Sequence, residues 1–98
     1  MLRRFEPERE DAVPEVQSAT LEGGVVHDLP DDFRHALLAE PAAAAAWRDI
    51  TPLARNEWIC WVQSPKKLET RVRRIAWGTQ NLRDGKRRPC CWPGCPHR

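Results

Sequence analysis

Four side chains suited to soft or borderline metals crowd into the final stretch CCWPGCPHR: Cys90, Cys91, Cys95 and His97. Zinc takes thiolate and imidazole ligands tetrahedrally, and its ligand pairs often stand two to four residues apart. Cys91 and Cys95 have that spacing, and Pro93-Gly94 supplies a turn that can bring them together. The adjacent Cys90-Cys91 pair and the single residue between Cys95 and His97 do not match a standard finger. The tail therefore admits three readings. It can hold a metal, it can do thiol redox chemistry in the field of Arg87, Arg88 and Arg98, or it can lie packed across a helix by Trp92 and the prolines. The packed tail, with no cofactor, is the expectation carried forward, and zinc is its alternative. A further cysteine, Cys60, falls within an apolar helical pattern and reads as a small buried hydrophobe outside any metal set. His27 and His35 read as solvated side chains.

A second candidate site is electrostatic. Residues 1–28 carry a net charge of −4, residues 29–65 of −2, and residues 66–98 of +8. Lys66, Lys67, Arg73, Arg74, Lys86, Arg87 and Arg88 supply much of that positive end, and on a helical wheel Trp77 falls among them. Such a tryptophan can be covered by another element such as the C-terminal tail, which is the leading expectation, can meet a protein partner or a stacked base, or can stand idle in solvent. Elsewhere the chain has no carboxylate pair, Ser-His-Asp set, phosphate loop or glycine fingerprint, so an ordinary enzyme has no support.

These residues need elements to position them, and the start and stop signals are plentiful. Leu29-Pro30 followed by Asp31 and Asp32 opens a first helix to about Glu40, with Phe33 and Leu37 facing inward. Pro41 opens a second, alanine-rich helix anchored by Trp47. Thr51-Pro52 caps a third, in which Ala54, Trp58, Trp61 and Val62 share a face while Ile59 and Cys60 lie off it. Apolar residues wrap so much of this helix that it reads as the most buried. Ser64-Pro65 repeats the cap-then-proline pattern and opens a fourth helix to Arg83. Its inward stripe is Leu68, Val72, Ile75, Thr79 and Leu82, and Asp84-Gly85 stops it.

The expected fold is all-α: a small four-helix domain over residues 29–88, a disordered acidic tail over 1–28 and an irregular Cys/Pro/His tail over 89–98. The foldable core spans roughly 55 residues, a size at which a single domain is only marginally stable. The N-terminus lacks the apolar run of a secretory signal, and no window approaches a membrane span. A cytoplasmic, monomeric chain with reduced thiols follows as the expectation.

The runs LPDDFRHALLAEPAAAAAWRDITP and WICWV, then Lys66-Lys67, Glu69-Thr70-Arg71, Arg73-Arg74-Ile75 and the Asn81 to Arg87 exit, resemble the bacteriocin-protection, YdeI or OmpD-associated family. The resemblance spans about residues 29 to 88 and implies a small bacterial all-helical domain. Longer relatives often carry a small β-barrel before it, which is not expected here with 28 residues ahead of the helices. The resemblance implies no catalytic residues. Pro65 and Trp77 depart from the small and polar residues usual at their positions. The function this implies is a non-enzymatic interaction module presenting a basic helix to a protein partner, related to stress or bacteriocin protection. Two alternatives stand beside it: a nucleic-acid-binding helical domain, and a metal or redox protein acting through the tail.

Overall fold

A computed structural model describes residues 21–89 and 92–98; Cys90, Cys91 and most of the expected acidic tail lie outside them. Among the described residues there are four helices and no strand: α1 (Asp31–Leu38), α2 (Pro41–Asp49), α3 (Pro52–Gln63) and α4 (Leu68–Arg83). The all-α expectation holds, and each helix starts and stops for a local reason. Pro30 is extended and sits just outside α1, leaving Asp31 and Asp32 in the first turn. Pro41 and Pro52 occupy the first positions of α2 and α3, where a missing N–H costs nothing. Thr51 caps α3, its hydroxyl accepting the Ala54 N–H at 3.1 Å. At the end of α4 the Lys86 N–H reaches the Asn81 carbonyl and the Gly85 N–H the Leu82 carbonyl. With Gly85 at φ 94° this is the left-handed Schellman closure that Asp84-Gly85 predicts.

The fourth helix departs from expectation at its start. Ser64 does not cap α4; it closes α3, its hydroxyl donating back to the Trp61 carbonyl at 3.1 Å. Residues 65–67 form the link, and α4 begins at Leu68.

α4 packs against each of the other three helices, most extensively on α2. The alanines of α2 permit that approach, with Ala43, Ala44 and Trp47 buried on one side. The core is Phe33, Leu37, Trp47, Ile50, Trp58, Ile59, Val62, Ile75 and Leu82, and the Phe33 and Trp47 rings meet edge to face at 5.3 Å. The buried stripe of α4 is Ile75, Gly78 and Leu82, while Leu68 and Val72, expected inside, are 73% and 57% exposed. Gly78 lies on the side that turns inward. Ring carbons of Trp61, Phe33 and Trp58 lie 3.4–3.5 Å from where its Cβ would stand. Three aromatic edges pack over that side of α4, at a distance where a Cβ would make ordinary van der Waals contact. Among the described residues, no helix is long and apolar enough to cross a membrane.

Candidate metal centre and the basic face of the fourth helix

The most buried helix, α3, carries three consecutive buried polar residues, Arg55, Asn56 and Glu57. Buried polar groups need partners, and apart from Asn56 Nδ2, which stays unpaired, these find them largely in the segments flanking the helical domain. Arg55 donates to the carbonyls of Gly23 (2.9 Å) and Ile50 (2.8 Å). Asn56 Oδ1 accepts the N–H groups of Val26 (3.0 Å) and His27 (2.9 Å). Glu57 accepts the Cys95 N–H on Oε1 (2.9 Å) and the Arg98 guanidinium on Oε2 (2.7 Å). Residues 21–28, expected within a disordered tail, therefore lie against the core, and Trp47 Nε1 also donates to the Glu22 carbonyl at 2.7 Å. Gly24 makes this possible, because any Cβ there would collide with the Asn56 backbone.

The consequence is convergence. Asn56 holds His27 and Glu57 holds Cys95 beside Cys60, one turn further along the same helix. The tail turns at Gly94 (φ 119°) to deliver Cys95, and His97 follows. Cys95 Sγ lies 3.3 Å from His27 Nε2 and 3.7 Å from His97 Nδ1, and Cys60 Sγ lies 3.8 Å from His97 Nδ1. One donor atom from each of His27, Cys60, Cys95 and His97 lies within 4.8 Å of all the others. The two histidine rings meet edge to face at 5.0 Å.

Charge in the cluster is unevenly shared. Burial, and then the hydrogen bond and charge of Cys95, push the Cys60 thiol up to about 11. Burial also acts to raise Cys95, but hydrogen bonds from the His97 N–H, His97, Cys60 and His27 outweigh it and pull that thiol down to about 6. Burial likewise works against ionisation of Glu57, yet Arg98 and the Cys95 N–H hold it below the usual carboxylate range.

Of the tail residues expected as ligands, the structure brings Cys95 and His97 together, and Cys90 and Cys91 lie outside the described residues. Beside them stand Cys60 and His27, which the sequence reading set aside as inert and solvated. The sequence signal able to find them is the Arg55-Asn56-Glu57 run inside an otherwise apolar helix. Polar residues there require incoming segments to satisfy them, and those segments bring the ligands.

The basic face is partly committed elsewhere. Lys66, Lys67, Arg73, Lys86 and Arg88 are exposed, and Trp77 is 54% exposed. Arg74 instead turns onto α3, donating to the Trp61 carbonyl (2.7 Å) and Ser64 Oγ (3.0 Å) with its guanidinium over the Trp61 ring. Arg87 pairs with Asp49 at 3.2 Å while remaining 58% exposed.

Residues 27–85 match the model of a family described as Bacteriocin-protection, YdeI or OmpD-Associated. No curated protein and no solved structure matches the chain.

Proposed function

Because the chain belongs to the bacteriocin-protection, YdeI or OmpD-associated family, we propose that it works as a non-enzymatic interaction module. In this reading α4 presents Arg73 and Trp77, flanked by Lys66, Lys67, Lys86 and Arg88, to an acidic protein partner in the bacterial cytoplasm, in a stress or bacteriocin-protection role. The observation that carries the reading is Trp77. It stands 54% exposed on a regular helix, whereas Trp47 and Trp58 are wholly buried. Exposing so large an apolar side chain gains the isolated domain nothing, and tryptophan and arginine are both enriched in binding hot spots. The net charge of +8 over residues 66–98 sets the partner's sign.

Nucleic acid is the second reading, favoured by the same exposed cations. A capture experiment from native cytosol separates the two, comparing wild type with Trp77→Ala, with and without nuclease. The expected result is a protein captured by wild type, retained after nuclease and lost with Trp77→Ala. A species that disappears on nuclease treatment, with affinity falling steeply as salt rises, would instead favour nucleic acid.

A further inference from the structure

We propose that His27, Cys60, Cys95 and His97 bind one zinc ion in a closed tetrahedral site that pins both flanking segments to α3. This site uses none of the residues of the α4 face and is independent of what that face binds.

The donor set is the first argument. Two thiolates and two imidazoles are a common structural zinc set, and two thiolates neutralise the divalent charge. With zinc–sulfur bonds of about 2.3 Å and zinc–nitrogen bonds of about 2.0–2.1 Å, tetrahedral donors stand roughly 3.3–3.8 Å apart. The 3.3, 3.7 and 3.8 Å separations are already of that size. An ion enters such a cluster with only small side-chain adjustments.

Support from the surrounding groups is the second argument. Metal ligands are held by outer partners that fix their orientation, and here each approach is fixed. Asn56 holds the backbone of His27, Glu57 holds the backbone of Cys95, and the His97 N–H points at Cys95 Sγ at 3.4 Å. An N–H directed at sulfur stabilises thiolate over thiol. Cys60 and Cys95 are buried, at 3% and 8% exposure, so the sulfurs are shielded from oxidants and competing ligands.

The third argument is topological. The ligands come from a lead-in, a central helix and a C-terminal segment that lacks regular structure. A small core benefits most from such a staple. Four protein donors leave no position for a water molecule, which makes the ion structural and not hydrolytic.

The test combines metal analysis with cobalt as a spectroscopic probe. Protein purified without added metal should contain stoichiometric zinc. Apo-protein given cobalt should develop the intense visible bands of a tetrahedral ion and thiolate-to-metal charge transfer from two sulfurs. His27→Gln, on an irregular segment, should abolish both signals while the helical circular dichroism persists, and Cys60→Ser should also abolish them. Cys90→Ser with Cys91→Ser should leave them intact. Chelation should increase alkylation of Cys60 and Cys95 and amide exchange over residues 22–28 and 92–98. Three outcomes would overturn the proposal: no uptake of zinc or cobalt by folded wild type, a Cys60–Cys95 disulfide in place of metal, or metal retained by His27→Gln but lost with the Cys90 and Cys91 substitutions.

Discussion

Trp58 and Trp61 sit one turn apart on α3 with rings 5.6 Å apart, edge to face, but their burial differs. Trp58 is fully buried and its Nε1 donates to the Arg87 carbonyl, whereas Trp61 is partly exposed at the α3–α4 seam under Arg74. Replacing Trp58 by alanine should cost about 3–5 kcal/mol through the cavity and the lost burial. Trp61→Ala should cost less than half as much. The sequence pattern alone ranks Trp61 as core, so chemical melts of the two variants test the observed order; equal losses would contradict it. Glu57 illustrates a different residue-scale rule. A buried carboxylate survives because the Cys95 N–H and Arg98 satisfy both of its oxygens.

Between elements, the contact most open to measurement is Asp32 of α1 with Arg71 of α4, a two-point ion pair at 2.8 and 3.0 Å. The Arg71 hydrogen bond, acting first, and its charge hold the Asp32 carboxyl below its ordinary value of 3.8, against a smaller opposing effect of burial. A depressed folded pKa means that the pair stabilises the fold above the ordinary carboxylate pKa. That contribution falls away as pH drops below about 4 toward the folded value. Asp32 is 46% exposed, so the contribution is a few tenths to about 1 kcal/mol and is screened by salt. Arg71→Met should lower stability at pH 7 by that amount and reduce the difference between pH 7 and pH 3. An unchanged acid slope in denaturant titrations would show that the pair does not tie α1 to α4.

At the scale of the whole molecule, the helical domain is completed by segments that have no regular structure. The compositional reading predicts that removing residues 1–24 leaves the melting temperature nearly unchanged. The structure predicts a different result, because the Glu22 and Gly23 carbonyls satisfy buried donors on Trp47 and Arg55. Orphaning such donors costs roughly 1–3 kcal/mol. In a domain of this size, at about 4–8 °C per kcal/mol, that corresponds to a drop of about 4–24 °C relative to a chain beginning at residue 21. Coincident melts of the two truncations would refute the docking of the lead-in.

The features legible in the sequence are those set by interactions within a turn or two of the chain. Prolines and Thr51 mark helix starts and Gly85 marks a stop, because φ restriction, a missing N–H and a left-handed cap act locally. The all-α class, the family and the basic end followed from the same short-range pattern. The tertiary structure alone decided what lies far apart in sequence. It decided that Gly78 and not Val72 faces the core, where aromatic rings from α1 and α3 pack over the glycine. It turned Arg74 onto Trp61 and left Trp77 in solvent. Above all, it assembled His27, Cys60, Cys95 and His97, whose convergence depends on Asn56 and Glu57 being buried and having to find partners. The Arg-Asn-Glu run signals that demand, but no local spacing says which segments meet it; that is decided only when α3 is packed and its polar side chains have lost water.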